Sequence, residues 1–152
     1  MQPSNFSRVT QPLHPDTHLV LLFALSIPHM RSFKWAIAGR SPRKLQAVHR
    51  SLGPIAAASI GVVAVDSTNH SSLEGLMART RVVISTAGPY TDLGEPLVRA
   101  CASHGVHYAD LSGEPFWQRD MIEKYDTLAR NTGAKIVLAS GYDSVPFGAS
   151  FE

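Results

Sequence analysis

From Phe33 onward, short apolar runs alternate with stretches whose apolar positions recur every three or four residues. That alternation is the pattern of a parallel sheet flanked by helices. Phe33 to Ala38 predicts a strand ending at Gly39. Pro42, harmless in a first turn, opens a helix over Arg43 to Leu52 that Gly53-Pro54 closes. Ile60 to Val65 is apolar or β-branched almost throughout, as a strand is when helices cover both faces, and Asp66 follows at its carboxyl end.

Ser71 or Ser72 is expected to cap a helix running to about Arg79, and Arg81 to Thr86 predicts a third strand ending in Ala87-Gly88-Pro89-Tyr90. Leu97, Val98 and Cys101 give Leu93 to His104 one apolar face, with Gly105 at the position of a C-terminal glycine. Val106 to Leu111 is the fourth strand. Trp117, Met121, Ile122, Tyr125 and Leu128 form a helical stripe over Phe116 to Asn131, and Ile136 to Ala139 closes the series. At least five strands alternating with four helices make most of a doubly wound α/β sheet.

Composition narrows the function classes. The chain has 152 residues, 44% apolar and 17% charged, which is the balance of one ordinary globular domain rather than a disordered chain. Its formal net charge is only +2 and its basic residues are scattered except at Arg40, Arg43 and Lys44, so no face for nucleic acid is expected. The single Cys101 cannot form an internal disulfide, and the seven histidines show no ligand spacing for a metal. The longest apolar run, Leu19 to Ile27, falls short of the roughly 20 residues that span a bilayer. It lacks an export signal's cleavage site, so the cytoplasm is the expected location.

Four segments carry a more specific likeness. Trp35-Ala36-Ile37-Ala38-Gly39-Arg40-Ser41, Val82 to Tyr90, Tyr108 to Glu114 and Gly141 to Pro146 occur in the order and spacing of the saccharopine dehydrogenase-like oxidoreductases, which this chain resembles over about residues 33 to 148. The resemblance implies a Rossmann-like NADP-binding domain and hydride transfer between NADPH and an enoyl or imine substrate that is a small molecule, lipid-linked in some cases. It also allows association with lipid surfaces. The family opens with a strand and a glycine-rich loop that nothing in Met1 to Ser32 matches. Residues 1–32 therefore read as an atypical leader, with a helix or a disordered stretch over 16–27, and 33–148 as a partial dinucleotide-binding domain whose substrate domain is absent. Without that loop the pyrophosphate loses its usual anchor at a helix amino terminus, and the expectation is weak NADP affinity and no turnover by this chain alone. A non-catalytic remnant or interaction module keeping a partial Rossmann fold is the alternative.

A dinucleotide lies outside the carboxyl ends of the strands. An NAD-specific protein presents Asp or Glu there to the ribose 2′-hydroxyl. This chain offers Arg40 and Lys44, cations that suit a 2′-phosphate, with the hydroxyl of Ser41 between them, against the plainer reading of Arg40 and Lys44 as solvated charges flanking a helix. Asp66 and Ser67 are placed to meet the adenine edge or to cap the next helix. In the loop Thr86, Ala87, Gly88, Pro89 and Tyr90, Gly88 allows close approach of a ligand, Pro89 stiffens the turn and Tyr90 is positioned to cover the nicotinamide. Asp110, Glu114, Tyr142, Asp143 and Ser144 end later strands. Acid–base roles and simple loop hydrogen bonding are both open for them.

Overall fold

The computed structural model describes residues 34–54, 58 and 60–141. The leader, its helix expected at 16–27, and Tyr142, Asp143 and Ser144 lie outside the described residues. The chain runs β1 (Trp35–Gly39), α1 (Pro42–Ser51), β2 (Ile60–Ala64), α2 (His70–Met77), β3 (Val82–Ser85), α3 (Tyr90–Leu93), α4 (Glu95–His104), β4 (His107–Asp110), α5 (Pro115–Thr132) and β5 (Ile136–Val137). Every pairing among the described strands is parallel. The strands form two hydrogen-bonded groups, β1-β2 and β3-β4-β5. Among the described strands, β1 and β3 each keep one edge unpaired. In the doubly wound order those are the two edges that flank the first strand's slot.

Each group has its own core. Ile37, Leu45 and Ile60 pack together between α1 and the β1-β2 pair, with Val48 and Leu52 at the margin. The larger core joins Val83 and Tyr108 of the three-stranded sheet to Met77 of α2, Val98 and Cys101 of α4, and Trp117 and Met121 of α5. Val98 and Cys101 are fully buried. Among the described residues, helices cover that face of the sheet alone. Register places Ile84, Ala109 and Val137 in one row on the opposite face, where Val82, Ile84 and Val137 are 51%, 40% and 53% exposed.

Three local expectations are corrected. The cap of α2 is Asn69, not Ser71 or Ser72: Asn69 is extended and its Oδ1 accepts from the Ser72 amide at 3.0 Å. The Ser72 hydroxyl instead accepts from the Asp66 amide at 3.0 Å. The single helix expected over Leu93 to His104 begins earlier, as the turn α3, and is interrupted at Gly94 before α4. Pro96, in the first turn of α4, has no amide to continue the preceding turn, and its ring favours a fresh start there. Strand β5 ends two residues early, because Ala139 turns the chain with φ +53°.

Candidate functional site

Parallel strands deliver all their following loops to the same end of a sheet, so the residues after β1 and β2 become neighbours, as do those after β3, β4 and β5. Gly39 pairs with Ala64, and the Val65 amide extends the ladder to the Gly39 carbonyl at 3.0 Å. Arg40 and Asp66 therefore leave adjacent strand ends. Ser41 is the cap of α1, its hydroxyl accepting from the Lys44 amide at 3.3 Å, and Arg40 and Lys44 are exposed beside it. Asp66 folds back on its own turn: Oδ1 accepts from the Thr68 amide at 2.9 Å and the Thr68 hydroxyl at 2.7 Å. These bonds, with Arg40's charge as a smaller contribution, hold the Asp66 carboxyl below its ordinary range. Helix capping, one of its two expected roles, belongs to Asn69. Ser67 is half-buried next to it.

The loop after β3 is built differently. Thr86, Ala87 and Gly88 are half-buried, Pro89 is exposed behind a cis Gly88–Pro89 peptide, and the Ala87 amide donates to the Ser85 hydroxyl at 3.4 Å. The Thr86 hydroxyl is buried without a hydrogen-bond partner. A Cβ on Gly88 would meet nothing nearer than the Tyr90 ring at 3.6 Å, so the protein's own packing does not demand glycine there. The Tyr90 ring turns inward. It is 4% exposed, lies 5.4 Å from the Trp117 ring, and its hydroxyl donates to the Ser85 carbonyl at 3.0 Å. An apolar ring with a partnered hydroxyl gains more by closing the core than by facing water. Burial pushes that hydroxyl up to about 12.

Two carboxylates, Asp110 at the end of β4 and Glu114 in the loop after it, hold the loops on either side. Glu114 accepts from the Tyr90 amide at 2.8 Å, the Thr91 amide at 2.7 Å and the Thr91 hydroxyl, so it seats the amino end of α3. The Thr91 side-chain bond is the largest of the effects that lower its pKa. Asp110, 3% exposed, accepts through Oδ2 from the Tyr108 hydroxyl at 3.0 Å. Its Oδ1 accepts from the Ser112 amide and hydroxyl at 3.1 and 2.8 Å and from the Ala139 amide at 2.9 Å. Its backbone carbonyl takes the Ser140 amide. Both acids are thus engaged in loop hydrogen bonding, one of the two roles left open for them. Thr91, Ser112 and Ala139 complete these contacts, and sequence reasoning does not single them out. A Thr or Ser beside a turn gives a weak signal, and a left-handed alanine gives none. Among the described residues no cluster of three or more His, Cys, Asp or Glu is arranged for a metal.

Comparison with known proteins adds a family pattern to this geometry. Residues 22–137 match the family model described as the saccharopine dehydrogenase NADP binding domain. A trans-acting enoyl reductase from Mycobacterium ulcerans is 50% identical over 111 residues, which cover 73% of this chain and 26% of the relative. Proteins of the same name from Mycobacterium tuberculosis and Mycobacterium bovis are 47% identical over the same length. The chain thus spans about a quarter of the length of these relatives. Apo saccharopine dehydrogenase (L-Glu forming) from Saccharomyces cerevisiae superposes with a TM-score of 0.57 at 21% identity, covering 72% of this chain and 22% of that one. At that identity the likeness is one of fold, a Rossmann-like α/β arrangement.

Proposed function

Because this chain belongs to the family of saccharopine dehydrogenase NADP-binding domains, we propose that the loops at its strand ends hold NADP for an oxidoreductase reaction on a small-molecule substrate. Arg40 and Lys44 take the 2′-phosphate, Ser41 adds a hydroxyl, and Asp66 and Ser67 lie along the adenosine half. The backbone of Thr86, Ala87, Gly88 and Pro89 takes the nicotinamide half, and Tyr90 serves by fixing that loop from inside the core.

The observation that carries this reading is the juxtaposition of Arg40 with Asp66 at adjacent ends of paired parallel strands, behind a helix capped by Ser41. A guanidinium pairs bidentately and with charge assistance with a phosphate, whereas a bare ribose hydroxyl offers it one neutral acceptor. Two features of the β3 loop support the second half of the site: the unpartnered Thr86 hydroxyl, and a glycine at 88 that internal packing does not require. When bound, NADPH supplies the hydride, and the protein binds it, orients it and shields the reacting carbon. The relatives' name points to an enoyl group as acceptor, with an imine as the alternative. A lipid-linked enoyl chain is the finer proposal. Turnover by residues 1–152 alone is not expected, since the matched segment covers only 26% of the Mycobacterium ulcerans relative.

Thermal unfolding of the chain with millimolar NADPH or NADH tests the cofactor assignment. At 100 times its dissociation constant a ligand that binds only the native state stabilises by about 2.7 kcal/mol, an easily read shift. NADPH is expected to raise the midpoint more than NADH, and Arg40→Ala to erase the difference. No shift with either nucleotide would instead favour a non-catalytic module, the second reading, which the exposed Val82, Ile84 and Val137 face supports.

A further inference from the structure

We propose that Glu114 is a positioning residue for the nicotinamide side of the cofactor site, acting through the amino end of α3 rather than as an acid or base. The proposal rests on the NADP reading of the β3 loop. Helix α3 is a single turn of four residues, too short to persist by its own hydrogen bonds. Its cap, Pro89, contributes no side-chain bond. The orphan amides at that end are met from 24 residues away in sequence, by the Glu114 carboxylate on Tyr90 and Thr91. Both carboxylate oxygens are used, Oε1 on one amide and Oε2 on the other amide and the Thr91 hydroxyl.

A carboxylate committed to three donors is poorly placed to exchange a proton with a substrate. What it does is set the far end of a short loop. Residues 86–89 run from the end of β3, where Ser85 is buried, to this pinned turn, so the loop is fixed at both ends. The Tyr90 ring below, packed on Trp117, holds the same turn from the core side. Glu114 itself stands at the start of α5, whose Gln118 amide returns to the Glu114 carbonyl at 3.0 Å. The loop's position is thereby tied to the longest of the described helices.

The test uses the chain of residues 1–152 with Glu114→Ala and Glu114→Gln. Amide hydrogen exchange is expected to accelerate at Tyr90 and Thr91 in Glu114→Ala while Val98 and Tyr108 keep their wild-type protection. NADPH affinity should fall about tenfold, the weight of a hydrogen bond to a charged group. Glu114→Gln, which keeps one acceptor oxygen, should recover part of both effects. Unchanged protection at Tyr90 and Thr91 would overturn the proposal, as would wild-type NADPH affinity in a Glu114→Ala protein whose two amides have lost protection. If Glu114→Ala does not fold, Thr91→Val, which removes one donor and leaves the carboxylate, carries the same two readouts. If the wild-type chain binds no NADPH, the cofactor reading fails and takes the positioning role with it, whereas the exchange data still report whether the carboxylate holds the turn.

Discussion

At the scale of single residues, the buried carboxylate of Asp110 shows what the strand ends require. It accepts from four hydrogen-bond donors drawn from three places: the Tyr108 hydroxyl within β4, the Ser112 amide and hydroxyl in the loop, and the Ala139 amide after β5. Tyr108→Phe removes the hydroxyl that Oδ2 accepts from and leaves a buried charged oxygen short of a partner. The expected loss is about 1–3 kcal/mol, read from urea unfolding. Asp110→Ala should cost more, since it frees several donors at once. Glu114 has a pH signature. Its carboxyl titrates lower in the folded chain than in the unfolded one. Its contribution to stability is therefore complete above the ordinary glutamate range and is lost as pH falls through the lowered folded value. Between those limits stability should drop more steeply with acidification in wild type than in Glu114→Gln, and unfolding midpoints at stepped pH measure it.

At the scale of elements, the glycines after two helices separate two costs that are often merged. Gly105 and Gly133 both end helices in the left-handed region, with φ +70° and +78°. A Cβ at Gly133 would meet nothing, whereas one at Gly105 would lie 2.8 Å from the Thr132 carbonyl oxygen. Gly133→Ala should cost about 1 kcal/mol for backbone conformation alone. Gly105→Ala should cost distinctly more, because it also pushes α4 from the end of α5, and chemical denaturation of the two variants compares them directly. These helix ends were legible in sequence, since a glycine directly after an apolar stripe supplies the left-handed residue on which helices commonly stop. The strands were legible too, with boundaries one or two residues too wide, because a β-branched run does not mark where pairing stops. The break before α4 was harder: read alone, Pro96 fits both an internal kink and a first turn, and the tight packing of Gly94, where a Cβ would fall 2.5 Å from the Trp117 indole, involves a residue far along the chain. The cap of α2 depended on choosing among Asn69, Ser71 and Ser72, three residues with the same chemistry. Of the site, the positions of Arg40, Ser41 and Lys44 at a strand end followed from the pattern, while the Tyr90 ring's inward turn depended on Trp117, far along the chain and invisible to local reasoning.

At the scale of the whole molecule, the described chain has two cores of unequal size, three buried residues around β1-β2 and nine around β3-β4-β5. Burial sets how often a region opens, so amides of β1 and β2 should exchange faster than those of β3 and β4, by a margin that NADPH narrows if it bridges the two sets of strand ends. Equal protection in the ligand-free chain would contradict independent cores. The larger core also contains the chain's one thiol. Cys101 is fully buried, and burial pushes its thiol up to about 12, so the folded chain offers an alkylating reagent neither access nor thiolate. Labelling therefore proceeds only through moments when α4 lifts from the sheet. The rate of modification at excess reagent, set against that of the unfolded chain, reads the frequency of those openings from a single atom without any added probe.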